Sequence, residues 1–171
     1  MSSRILYGLD DQWQLLAGIA QGFRAPNLDD LTGSQFVQNG LNSFGSTDLE
    51  PEEFISYELG AFYQRENFTA SLVGFYTDLD DAIVRVEDQY GDLYSVNAGS
   101  GRTWGLESEI YFPFNENWTF GGHLSWVKGE VESPSILGGE RRTQNFSKLP
   151  PLQARLYSKW TSNSSRYWIM G

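Results

Sequence analysis

The run Trp118-Thr119-Phe120-Gly121-Gly122-His123-Leu124-Ser125-Trp126-Val127 decides the fold. In an extended chain every second side chain falls on the same face. One face therefore carries Trp118, Phe120, Gly122, Leu124 and Trp126, and the other Thr119, Gly121, His123, Ser125 and Val127. The first face has no polar group, and this period of two is the signature of a strand with two different surroundings. Working outward, Phe68, Ala70, Leu72, Gly74 and Tyr76 oppose Thr69, Ser71, Val73, Phe75 and Thr77. Trp104, Leu106, Ser108, Ile110 and Phe112 oppose Thr103, Gly105, Glu107, Glu109 and Tyr111. Ile55, Tyr57, Leu59, Ala61 and Tyr63 alternate with Ser56, Glu58, Gly60, Phe62 and Gln64, and Leu152, Ala154, Leu156, Ser158 and Trp160 with Gln153, Arg155, Tyr157 and Lys159. None of these apolar faces carries a charge.

Composition narrows the surroundings. The 171 residues hold 12 Lys plus Arg, 22 Asp plus Glu, one His and no Cys, a net charge of −10. That acidity argues against nucleic acid as a partner, since phosphates are neutralised by basic patches. Without thiols and with a single imidazole the chain has no disulfide scaffold, no Cys-His zinc site and no catalytic cysteine, and no cofactor is implied. No apolar run reaches the roughly 18 to 20 residues of a spanning helix, and no signal-peptide pattern follows Met1-Ser2-Ser3-Arg4. The 11 Phe, 6 Trp and 9 Tyr are a heavy aromatic load for one domain.

The spacing of those aromatics gives them a place. Trp118 and Trp126, Phe68 and Tyr76, and Trp104 and Phe112 each bound an apolar face eight residues apart. At roughly 3.3 Å per residue and a tilt of about 40°, such a stretch spans on the order of 20 Å, close to the apolar band between the aromatic girdles of an outer-membrane barrel. A soluble sandwich has the same alternation but does not require the girdle spacing. Connection lengths agree: short turns at 9–12, 65–67, 113–117 and 161–165 alternate with longer segments at 24–53, 87–92 and 130–148. The reading is all-β, an antiparallel meander of about eight strands forming an open segment of a large transmembrane β-barrel. Full strands are expected near 12–23, 54–65, 67–87, 93–112, 117–130 and 149–161, with partial strands near 4–9 and 166–171. Because the pattern stops at Trp168-Ile169-Met170-Gly171 with no closing aromatic strand end, the chain reads as a fragment.

A series of short tags then carries a resemblance: Gln21-Gly22-Phe23-Arg24-Ala25-Pro26-Asn27-Leu28-Asp29-Asp30-Leu31, Leu49-Glu50-Pro51-Glu52, Ser56-Tyr57-Glu58-Leu59-Gly60 and Phe75-Tyr76-Thr77-Asp78-Leu79-Asp80-Asp81-Ala82-Ile83-Val84-Arg85. Asn97-Ala98-Gly99, Gly105-Leu106-Glu107 and Leu149-Pro150-Pro151 follow. In this order the set resembles the barrel of TonB-dependent outer-membrane receptors from about residue 5 to the end. The resemblance implies a 22-stranded barrel whose plug and final strands lie outside 1–171. It also implies import of a ferric siderophore, haem, cobalamin or similar solute, with the TonB complex acting through the plug. Ser46-Thr47-Asp48-Leu49 stands where the haem receptors of the family carry Asn-Pro-Asn-Leu, and no His lies between the boxes, which weighs against haem.

Candidate site residues follow from both lines. Glu58, Glu107, Glu109, His123, Arg155 and Lys159 fall on the polar faces and are assigned to the lumen wall, because charge is costly against lipid. Arg141 and Arg142 are the cationic pair outside the membrane band, and guanidinium groups suit an anionic chelate. Arg24-Ala25-Pro26 and the turn-forming 27–30 are read as the end of a strand. The acids Asp78, Asp80, Asp81, Glu87, Asp88 and Asp92 lack the spacing of an EF-hand, so no metal is assigned. Two other readings remain: a complete eight-stranded barrel with a structural or adhesive role, and a hydrolase using Ser125 and His123. The latter has no orienting carboxylate evident in sequence, so the chain is not read as an enzyme.

Overall fold

The computed structural model describes residues 1–34, 42–146, 149–164 and 166–171. In chain order the elements are β1 (Ser2–Gly8), β2 (Trp13–Arg24), α1 (Leu28–Thr32), β3 (Gly33–Ser34), β4 (Ser43–Phe44), β5 (Glu52–Arg65) and β6 (Phe68–Asp80). They continue with β7 (Ile83–Glu87), β8 (Leu93–Asn97), β9 (Gly101–Pro113), β10 (Trp118–Pro134), β11 (Arg141–Asn145), β12 (Gln153–Thr161) and β13 (Trp168–Met170). No helix among the described residues is long and apolar enough to cross a membrane.

Nine strands make one antiparallel sheet, ordered β1-β2-β5-β6-β9-β10-β12-β13 with β11 attached to β10. Strands β1 and β13 stand at its two edges and do not pair with each other. The sheet is open, which removes the reading of 1–171 as a closed eight-stranded barrel. Register is set by short turns at one end. In two of them an Asx side chain folds the chain back: Asp10 Oδ1 accepts from the amides of Gln12 and Trp13 at 2.8 Å each, and Asn115 Oδ1 from those of Asn117 (2.9 Å) and Trp118 (2.8 Å). The predicted turn 161–165 includes residue 165, outside the described residues, and 35–41 and 147–148 of the predicted long connections are outside them as well.

The apolar faces do not meet a core. Leu59, Leu72, Leu106, Ile110 and Leu156 all stand exposed, with Leu156 at 81%. Exposed apolar surface this continuous marks a contact surface, and a charge-free face bounded by aromatics suits lipid. At the short-turn end the aromatics form an unbroken row along the sheet. Ring centroids are 4.8 Å apart for Trp13 and Tyr63, 5.9 Å for Tyr63 and Phe68, and 6.2 Å for Phe68 and Phe112. The row continues through Phe114 to Phe120 and Trp118, and Trp118 lies directly opposite Trp160. The opposite boundary is the row Tyr57, Tyr76, Trp104, Lys128, each directly across from the next. Immediately beyond it come Asp78, Arg102 and Glu130, with Arg102 Nε donating to Glu130 at 2.5 Å.

Two predicted strands are each broken in the structure. The expected strand 67–87 splits into β6 and β7 at Asp81, whose φ of 54° takes the chain out of the ladder, and 93–112 splits into β8 and β9 around 98–100. The pieces β7 and β8 join β3 and β4 in a second sheet, ordered β3-β4-β8-β7. Its anchor is the one buried apolar cluster among the described residues: Ala82, Ala98 and Val131, with Val84 and Phe146 packed against them. Val131 continues the lumen-side row of β10, so the second sheet stands on the inner side of the wall at its extracellular end. The expected loop 130–148 is mostly a hairpin, since β10 runs on to Pro134 and pairs with β11. The partial strands at the two ends become β1 and the shorter β13.

The lipid-facing assignment is tested by placing a charge on either side of β10. Leu124→Arg should cost about 2–4 kcal/mol of folding free energy into bilayers, as should Leu106→Arg on β9, whereas Ser125→Arg should cost much less. Equal costs in a folding titration would contradict the orientation.

Candidate functional site: lumen wall and extracellular rim

Strand alternation brings the predicted lumen-wall residues onto one face. Glu109, His123 and Arg155 lie in one cross-strand row, with Ser71 on the far side of Glu109. The row above holds Val73, Glu107, Ser125 and Gln153. Register, which the sequence does not state, thus sets Glu109 across from His123 and Glu107 across from Ser125. Among the described residues no hydrogen bond joins His123 to Ser125 or to Glu109. Glu58 is held differently: both its oxygens accept from Arg4 Nη2, at 2.8 and 3.1 Å. Arg155 lies 5.9 Å over the Tyr157 ring and Lys159 5.7 Å over the Trp168 ring. The wall therefore runs from carboxylates on β5 and β9 to cations on β12.

The extracellular rim is organised by Arg24, a residue that sequence reasoning assigned only to ending the strand. Its guanidinium bonds Glu52, directly opposite on β5, and reaches Asp30 at 3.3 Å. Glu52 and Asp30 are each 9% exposed. Asp30 belongs to a capping box: its amide donates to Asn27 Oδ1 at 2.8 Å while its carboxylate accepts the Asn27 amide at 3.1 Å. Glu52 Oε1 accepts the Ile83 amide at 2.7 Å, and Arg85 pairs with Asp29. The hydrogen bond that Arg24 donates to Glu52 is the main reason the Arg24 pKa stands above its ordinary value, with burial opposing. One guanidinium thus ties the barrel wall, α1 and the start of β7 together. The Asn-x-x-Asp spacing at 27–30 was the readable signal for the capping box; Glu52 gave none, because its partner is 28 residues away.

The acids at the tips serve local structure. Asp88 Oδ1 accepts the amides of Tyr90 at 2.7 Å and Asp92 at 3.0 Å, Asp92 accepts the Asn42 amide at 2.8 Å, and Asp78 accepts the Tyr76 hydroxyl at 2.9 Å. Arg141 and Arg142 lie in β11, opposite Pro134 and Ser133. Adjacent strand residues point to opposite faces, so the two guanidinium groups do not act as a pair. Arg142 shares the lumen-side face with Ser133 and Val131, and Arg141 lies outward, with Glu132 (two residues before Pro134) and Gly99 beside it.

A wall with lipid on one face, charge on the other and an aromatic row at each boundary defines a transmembrane β-barrel of the bacterial outer membrane. The family described as TonB dependent receptor-like, beta-barrel matches residues 4–170, and the chain belongs to that family, whose members are transporters rather than enzymes. It is 31% identical over 147 residues to the iron-regulated outer membrane virulence protein of Vibrio cholerae, covering 78% of this chain and 22% of the relative. It is 26% identical over 138 residues to the ferric enterobactin receptor PirA of Pseudomonas aeruginosa, covering 70% of this chain and 19% of that one. The chain thus spans about a fifth of the length of these curated relatives. Among solved structures, the copper transporter OprC superposes with a TM-score of 0.76 at 21% identity, covering 95% of this chain and 24% of its own.

The rim network makes a direct prediction. In Arg24→Gln, Glu52 and Asp30 lose their cation. Because the Arg24 side chain is itself 45% exposed, the loss is expected to be about 1–2 kcal/mol. Hydrogen exchange at the amides of α1 and β7 should then quicken about tenfold while β5 and β6 keep their protection. Unchanged exchange at the rim would show that Arg24 does not hold it.

Proposed function

We propose that this chain is a sector of the wall and extracellular rim of an outer-membrane receptor that binds a scarce solute, most specifically a ferric siderophore, and imports it with energy delivered by the TonB complex through a plug. The observation that carries this reading is the alignment of this wall with an iron-regulated outer-membrane protein and a ferric enterobactin receptor. The polar lumen face supports it: Glu58, Glu107, Glu109, His123, Arg155 and Lys159 suit contact with water, plug and passing solute and would be costly against lipid. Binding residues concentrate on loops held by a rigid scaffold. Here the scaffold is the main sheet, and the loops are the second sheet and the β10–β11 hairpin on its extracellular side. Of the two arginines, Arg142 is the one we assign to an anionic chelate, because it shares the lumen-side face.

In the complete receptor, Arg142→Ala should weaken binding of ferric enterobactin by about 1.5–3 kcal/mol, roughly tenfold or more, as expected for a lost hydrogen bond to a charged group. Arg141→Ala should change it little, and neither substitution should alter assembly. A titration in which the two variants bind alike would remove Arg142 from the site.

A further inference from the structure

On the lumen face of the wall, large aromatic rings lie across glycines that stand directly opposite them. Phe54 faces Gly22, Phe75 faces Gly105 and Tyr157 faces Gly121. A Cβ on Gly22 would come within 2.6 Å of the Phe54 ring, and one on Gly121 would run into the Tyr157 ring. At both positions every near neighbour is an atom of that ring rather than backbone. The glycines of the lipid face differ: a Cβ on Gly74 or Gly122 would meet the side chain of Leu106 or Leu156 most closely. Flat rings over glycine are thus a property of the lumen side. Gly121 lies in the second row of the ladder above Thr119 and Gly22 only two residues below Arg24, so the device extends from near the short-turn end to the extracellular rim.

A ring lying on the sheet adds about one van der Waals thickness, roughly 3.5 Å, to the wall. Standing upright, it adds its full length. We propose that Gly22 and Gly121 are positioning residues for passage: by letting Phe54 and Tyr157 lie flat, they hold the lumen wall low along the route of an imported solute. This rests on the import reading above. Glycine is suited to the role because it alone lets another group approach the backbone this closely. Packing of an aromatic over a strand glycine also supports strand pairing, so assembly and passage must be measured separately.

The test uses the complete receptor in cells, with iron-55 supplied as ferric enterobactin. Surface binding is read in de-energised cells, and uptake is expressed per assembled receptor. Gly121→Ala and Gly22→Ala should bind the chelate as the unsubstituted receptor does and import it several-fold more slowly. The doubles Gly121→Ala with Tyr157→Ala, and Gly22→Ala with Phe54→Ala, should recover the rate, because no ring remains to stand upright. Import at the normal rate by the single variants, doubles as slow as the singles, or a deficit that follows only the amount of assembled receptor would each overturn the proposal. Independently of any solute, the structure of the Gly121→Ala receptor should show Tyr157 turned into the lumen, and a ring still flat would also overturn it. Failure of the unsubstituted receptor to import this chelate contradicts the functional reading instead, and that control separates the two.

Discussion

Hydrocarbon offers no partner to a peptide N–H or C=O, and each such group left unpaired there costs several kcal/mol. The rest of this structure depends on that constraint. Between the two aromatic boundaries the ladder is continuous from β1 to β13, with every strand antiparallel to its neighbours. Once the backbone is committed to the ladder, side chains have only two directions, and the sequence uses them oppositely. The leucines of the outer rows, isoleucines and the boundary aromatics point to one side; between the boundaries Glu58, Glu107, Glu109, His123, Arg155 and Lys159 point to the other, together with the rings of Phe54, Phe75 and Tyr157. The wall therefore has no core of its own.

Where the chain leaves the hydrocarbon, water can satisfy the backbone and the constraint relaxes. At the short-turn end it relaxes for only a few residues, and Asp10 and Asn115 return the chain at once into the next strand. At the other end it relaxes for much longer. There the chain forms a helix, a second sheet and the one buried apolar cluster among the described residues, and charged groups take over the work of holding segments together. Arg24 sits at that transition, its partner Glu52 still in the ladder and Asp30 already in the helix.

The two-faced wall was legible in the sequence because its rule is local: a period of two and an aromatic spacing of eight can be read within a single strand. Contacts across strands were not legible. Nothing within 117–130 says that His123 faces Glu109 or that Tyr157 covers Gly121, since both follow from register. The overlong strands 67–87 and 93–112 were misread for a related reason. Each keeps its β-forming residues on both sides of the break, and only the positive φ at Asp81 and the burial of Ala82 and Ala98 separate wall from rim. The arginine pair illustrates the same limit, because two adjacent cations look joined in a loop and are parted by a strand.

The central claim is that the two alternating faces of β10 meet lipid and lumen. It is tested most directly by placing a small fluorescent probe on single cysteines, one at a time, from 118 to 127 in the complete receptor, reconstituted in bilayers of brominated lipid. Quenching should rise and fall with a period of two, strong at 118, 120, 122, 124 and 126 and weak at the odd positions between them. Quenching that is uniform along the strand, or strongest at 119, 121, 123 and 125, would contradict the account.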